Sequence, residues 1–184
     1  ASASLLGHAK TELSRGVDLF HTFAQGLPTS FSGMRPGSMG ETGVFLIAAG
    51  GIALMFLRVI SWHIPVSMLC AIALPAAIAN GVNPARFLDA GTHLLSGAAV
   101  LGAFFIATDY VSSPTSALGQ ILFGTGCGLL TWLIRTYGGY PEGVAFAILI
   151  MNALTPAIDR FVRPRVYGRD LRGRPMKTPG KKEN

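Results

Sequence analysis

Three acid or amide side chains stand in or beside runs that are otherwise apolar. Asp109 closes the run Ala90–Thr108, Glu142 precedes the run Gly143–Ile158, and Asn152 lies inside that second run. An ionisable group at membrane depth is costly, and it persists where it pairs, faces a water-filled path or hands on an ion. Asp109, Glu142 and Asn152 are therefore the candidates for an ion pathway. Pro156, further along the same run, cannot donate a backbone hydrogen bond and so frees a carbonyl, a device suited to handling ions. The structural alternatives are a solvated helix end at Asp109 and a carboxylate favouring the helix start at Glu142. A second constellation is Gly37-Ser38-Met39-Gly40-Glu41-Thr42. Exposed amides at a helix start, with glycines that permit close approach, make an anion or ligand site. Gly37, Ser38, Gly40, Glu41 and Thr42 are thus cofactor-binding candidates, set against a plain loop with Glu41 in the first helical turn.

Other chemistries are not encoded. His93 has no His, Cys or carboxylate three or four residues further on, so no metal is expected there. Cys70 and Cys127 cannot supply a four-thiolate cluster, and both are expected as small buried hydrophobes. No Ser/His/Asp set, phosphate loop or dinucleotide fingerprint is present, and no residue is a candidate for catalysis.

Those polar residues must be positioned by apolar elements. Half of the 184 residues are hydrophobic and only 13% are charged, where a soluble domain carries about a quarter. Disordered chains and secreted disulfide scaffolds are excluded. The composition is that of an all-α polytopic membrane protein. Charge-free runs at Thr42–Leu57, Val59–Ala85, Ala90–Thr108, Tyr110–Ile134 and Gly143–Ile158 predict five spans, near 43–60, 64–80, 92–108, 118–136 and 143–160. Breaks at Asn80–Pro84, Ser112–Ser116 and Tyr137–Pro141 carry turn residues. Small residues at Gly97, Ala98, Gly102 and Ala103 suit close helix packing in lipid.

Three regions follow. Residues 1–42 form an outer segment with an amphipathic helix, in which Leu5, Leu6, Leu13, Val17, Leu19, Phe20 and Phe23 alternate with charged residues. Residues 43–160 are the five-helix membrane domain, and 161–184 are a basic tail. Nine of the fifteen Lys and Arg residues fall at or after Arg160. A basic block after the last span places that end in the cytoplasm and residues 1–42 in the periplasm. Arg58 then faces the cytoplasm, while Arg86 and Arg135 face outward. Anionic lipid is the tail's expected partner, and nucleic acid is not.

Several strings in fixed order resemble one family. They are GSMGET at 37–42, WHIP at 62–65, HLLSGA at 93–98, LGAFFIATD at 101–109, WLIR at 132–135, GGYPEGVAFA at 138–147 and RPRVYG at 163–168. The family joins the D subunit of the Rnf electron-transport complex with the B subunit of the sodium-translocating NADH:quinone oxidoreductase, and RPRVYG resembles the Rnf side. Family members have about ten spans, so the resemblance is to roughly their C-terminal half. Five spans per half is what an inverted repeat requires. The resemblance implies a bacterial inner-membrane subunit that works with other Rnf subunits, moving electrons between ferredoxin and NAD and translocating Na⁺ or H⁺. It also implies covalent FMN, joined by a phosphodiester to a Ser or Thr before the sixth span, and a second, non-covalent flavin such as riboflavin. Aligned on Lys10-Thr11, Ser4 takes the acceptor position, although Ala1 and Leu5 depart from the motif. The rival class is a channel or permease without a redox cofactor, since repeats and broken helices describe transporters equally well.

The basic tail generates the first prediction. In intact cells, a membrane-impermeant thiol reagent should label Ser4→Cys and spare Lys182→Cys. The opposite pattern would invert the topology.

Overall fold

The structure, a computed structural model, describes Gly7 and residues 43–84, 86–96, 98–140 and 142–162. Ser4, the 37–42 loop and the basic tail beyond Val162 lie outside the described residues. Within them, all regular structure is helical: α1 (Val44–Phe56), α2 (His63–Val82), α3 (Ala90–Leu95), α4 (Ala99–Leu101) running into a π-helical turn (Gly102–Ile106), α5 (Ala117–Tyr137) and α6 (Val144–Phe161). Among the described residues the protein is all-helical, a polytopic membrane protein. Helices α2, α5 and α6 are each long and apolar enough to cross a membrane, and α1 is a shorter apolar helix.

Local chemistry sets the ends. Helix α1 stops where Arg58 turns left-handed at φ 56°. The Arg58 and Val59 amides then donate to the Met55 and Leu54 carbonyls, both at 3.0 Å, closing the helix as a Schellman motif usually does with glycine. Pro65 sits in the first turn of α2, where an amide donor is not needed. Asn80 donates through Nδ2 to the Phe87 carbonyl at 2.8 Å and ties down the following turn. Asp89 and Ser116 cap α3 and α5 by accepting from the Gly91 and Gly119 amides.

The third expected span departs from prediction. A continuous helix near 92–108 is replaced by two pieces, because Ser96 adopts an extended conformation at φ −104°, ψ 145°. The second piece then widens into a π-turn, with the Ala107 amide donating to the Gly102 carbonyl at 2.7 Å. Such π-turns are insertions that recur at functional positions.

Helices α2 and α5 make the most extensive contact, with α6 against α5 and α3 against α2. Ile64, Met68 and Ile72 form one stripe of α2 and meet Phe123 and Cys127 of α5, Ala99, Ala103 and Ala107 of the broken span, and Val144, Ile148 and Met151 of α6. The α2–α5 approach depends on glycine. A Cβ at Gly124 would strike the Ser67 hydroxyl and the Ile64 carbonyl, and one at Gly128 would strike the Met68 carbonyl. This is the spacing by which small residues let helices touch in lipid. Gly102 and Gly51 do the same for the π-turn, against Val144 and Phe104. Cys127 is buried as expected, but Cys70 is exposed on the outer side of α2, among lipid-facing residues such as Leu74 and Ile78. An apolar run in a membrane helix does not distinguish core from lipid, since both are equally apolar.

Gly128→Val should therefore destabilise the bundle by about 3 kcal/mol, the upper end for overpacking, because the obstacle is backbone. Gly81→Ala, with open space around it, should be neutral or stabilise by about 0.5–1 kcal/mol. Thermal melts of the two variants in detergent check the contrast.

Candidate functional site

The break after α3 leaves carbonyls without helical partners in the middle of protein, where an unmet polar group is costly. Arg135, two residues from the end of α5, fills that need. Its side chain is fully buried, and its Nη1 donates to the His93 carbonyl at 2.6 Å and its Nη2 to the Ser96 carbonyl at 3.2 Å. The planar guanidinium spans two acceptors at once, which a lysine cannot match in geometry. A cation there also suits the negative end of α3. Glu142, just before α6, provides the countercharge, with Oε2 3.5 Å from Nη2.

Two further atoms complete the cluster. His93 is buried, and its Nδ1 has no hydrogen-bond partner. Glu142 Oε1 is likewise buried and unpartnered, although the carboxylate side chain as a whole is a third exposed. Thr131, one turn before Arg135, turns inward and donates to the Cys127 carbonyl at 2.7 Å, so the polar groups of this face of α5 point into the bundle.

The three pathway candidates are not brought together. Glu142 belongs to the Arg135 cluster. Asp109 lies at the opposite end of the broken span, exposed, where its Oδ2 accepts from Ser112 Oγ at 3.0 Å and holds a turn. Asn152 is partly buried within α6, with Oδ1 shielded from solvent and unpartnered. Pro156 does lie inside α6, and the hydroxyl of neighbouring Thr155 reaches the Ser112 carbonyl at 2.9 Å, joining α6 to that same turn. Gly37, Ser38, Gly40, Glu41, Thr42 and Ser4 are outside the described residues. Among the described residues no group of three or more metal-ligating side chains occurs. Sequence reasoning missed Arg135 as a site residue, placing it only as an outward-facing charge at the end of the fourth span. The available signal was a lone cation ending a long apolar run.

At the Asp109 end the bundle holds a cavity of about 800 Å³. It is lined by Met55 in the last turn of α1, Arg58 just after it, Ser61 and Trp62 before α2, Thr108 and Tyr110 after the π-turn, and Gln120 on α5. Ser61 Oγ donates to Gln120 Oε1 at 2.8 Å. From Gln120 to Arg135 is fifteen residues of α5, about 22 Å at helical rise, so cavity and cluster occupy opposite ends of the bundle.

A bundle of apolar helices, one of them broken and capped by a buried arginine, defines an integral, polytopic membrane protein. Comparison with known proteins narrows the class. The model of the NQR2, RnfD, RnfE family matches residues 1–168, and the chain belongs to that family. It is 43% identical over 178 residues to the D subunit of the ion-translocating oxidoreductase complex of Halorhodospira halophila, covering 96% of this chain and 50% of the relative. It is 47% identical over 182 residues to the protein of the same name from Stutzerimonas stutzeri, with the same coverage. The Yersinia enterocolitica protein of that name is 54% identical over 120 residues, 65% of this chain. The chain spans about half the length of the first two relatives.

Removing the guanidinium strands both the carbonyls and the glutamate. Arg135→Met should cost about 3 kcal/mol or more, the range for breaking a buried pair. Asp109→Asn, at an exposed turn, should stay within about 0.5 kcal/mol. Detergent melting of both variants distinguishes the buried charge from the solvated one.

Proposed function

We propose that this chain is part of a membrane subunit of a complex that couples electron transfer between ferredoxin and NAD to Na⁺ or H⁺ translocation. The observation that carries the reading is the near-complete match of the chain to proteins named as subunits of an ion-translocating oxidoreductase complex. The broken third span supports it, because freed carbonyls held by a charge inside an apolar bundle are the usual means of handling ions in a membrane. Electron-carrying partners, the other subunits and the inner-membrane location belong to the same proposal.

The redox part rests on flavin. Ser4 is the proposed acceptor for covalent FMN, on the periplasmic side, and the 37–42 loop is its proposed support. A second, non-covalent flavin suits the cavity at the other end, whose volume is in the range of small-molecule sites. Trp62 and Tyr110 offer aromatic faces there, the Gln120 amide can donate, and Arg58 favours negative charge on the ring. A bound flavin would supply one- and two-electron chemistry, while the protein sets its position and surroundings. Gln120 Oε1 accepts from Ser61 Oγ, which leaves the Nε2 end of the amide as the donor.

Intact-protein mass spectrometry tests the reading. The wild type, expressed with its complex, should carry the added mass of one FMN, and Ser4→Ala should lose it while still inserting in the membrane. Wild type without that mass would sink the Ser4 assignment and favour the permease alternative.

A further inference from the structure

Arg58 stands in a backbone conformation that a side chain does not favour. Its φ of 56° lies in the left-handed region, where glycine is the ordinary residue and a Cβ is crowded. Nothing in the turn requires an arginine, since the two closing hydrogen bonds run from backbone amides to backbone carbonyls. A strained residue kept where glycine would serve points to work done by its side chain. Arg58 is exposed and lines the cavity of about 800 Å³ at this end of the bundle. Among the described residues it is the one charged group in that lining. Asp109, between the lining residues Thr108 and Tyr110, is engaged with Ser112 instead. The apolar lining shows what the guanidinium would meet. Ile52 and Phe56 of α1 are 46% and 84% exposed, so the wall they form is continuous with the lipid-facing surface. Trp62 and Tyr110 are each more than half exposed, and such rings settle at headgroup level. Helix α1 has 13 residues, about 20 Å at helical rise against about 30 Å of hydrocarbon. A helix this short is met by a thinner bilayer and by flanking side chains that reach for headgroups.

We infer that the mouth of this cavity is a site for one anionic phospholipid, with its phosphodiester on the Arg58 guanidinium and an acyl chain along Ile52 and Phe56. A guanidinium can grip two phosphate oxygens through parallel hydrogen bonds. A zwitterionic lipid carries its own cation beside the phosphate, so charge complementarity selects the lipid with net negative charge. The orientation expected from the basic tail puts Arg58 at the cytoplasmic leaflet, where anionic lipids attract basic groups. The inference does not draw on the ion-translocating or flavin readings. It assigns Arg58 to the lipid phosphate and leaves Trp62, Tyr110 and the Gln120 amide for a ring.

The test places the whole purified complex in phosphatidylcholine liposomes that contain a trace of phosphatidylglycerol or phosphatidylcholine with a diazirine on one acyl chain. After illumination, labelled peptides of this chain are quantified by mass spectrometry. Labelling of segment 52–62 should be at least fivefold higher with the glycerol lipid than with the choline lipid. Around Leu149, on the lipid-facing side of α6, the same ratio should lie within twofold of one. In Arg58→Gly, which suits the left-handed backbone, the 52–62 ratio should fall to the value at Leu149. That variant should also melt no lower than wild type in lipid-free detergent, because the strain is relieved. A wild-type ratio at 52–62 no higher than at Leu149 overturns the inference, as it would if a flavin alone took the charge. So does a preference that persists in Arg58→Gly. A lower melting temperature in Arg58→Gly would make the arginine a part of the turn's own structure, and that result overturns it as well. Should Arg58→Gly fail to assemble, the ratio in Arg58→Gln decides: a fall to the value at Leu149 supports the site, and a persisting preference overturns it.

Discussion

A helix that stops inside an apolar bundle leaves its last carbonyls facing neither water nor a neighbouring turn. In this protein that problem arises after Leu95, and the Arg135 guanidinium resolves it by donating to the His93 and Ser96 carbonyls. The solution creates a second problem, since a buried cation is itself costly without a countercharge. Glu142 supplies one, and it does so from the short connection between α5 and α6. The break, the arginine and the glutamate thus form one unit whose parts come from three consecutive spans. None of the three groups is tolerable in this setting without the others.

Delivering that arginine constrains the rest of the bundle. Helix α5 must lie close enough to the broken span for a side chain to reach its backbone, and its closeness to α2 is set by Gly124 and Gly128. Both positions face α2 backbone, so no side chain can be accommodated without moving the helices apart. Gly143 plays a related part at the start of α6, where an added Cβ would meet Ile134, the residue next to Arg135. The small residues are therefore concentrated on the faces that carry the polar cluster. The opposite faces of α2, α5 and α6 expose large apolar side chains such as Leu74, Leu133 and Leu149, as a lipid-facing surface requires.

Much of this architecture was legible in the residues. Runs of about twenty apolar residues bounded by turn chemistry mark α2 and α5, and α6 begins and ends within two residues of its expected limits. The break had one local signal, the Ser96-Gly97 pair in HLLSGA, which hydropathy alone does not report, because hydropathy measures transfer into lipid rather than continuity of the helix. The inward face was hidden, as Cys70 and Cys127 show: similar surroundings in sequence, opposite exposures in the fold. Arg135 escaped notice for a different reason. Its main partners are backbone carbonyls 42 and 39 residues away, and a backbone carbonyl has no signature in sequence. Glu142 was identifiable by charge alone, yet its role depends on that unseen contact. Ser4 and the 37–42 loop rest on family resemblance, whereas the Arg135 cluster was found only by folding the chain.

The cluster also removes an inconsistency in the charge distribution. In the orientation expected from the basic tail, Arg86 and Arg135 would both stand on the side that the positive-inside rule leaves poor in cations. That rule concerns charges in loops that remain in water beside the membrane. Arg135 is not such a charge, because it is wholly buried and paired with a carboxylate. Arg86 remains a loop cation, exposed and resting against the Phe87 ring with 5.8 Å from guanidinium carbon to ring centroid. Once Arg135 is counted with Glu142 as a neutral interior pair, Lys10, Arg15, Arg35 and Arg86 are set against Arg58 and the nine basic residues at or after Arg160. The burial that lets Arg135 hold the broken span together is therefore also what lets a cation occupy that end of the bundle without opposing the orientation expected from the basic tail.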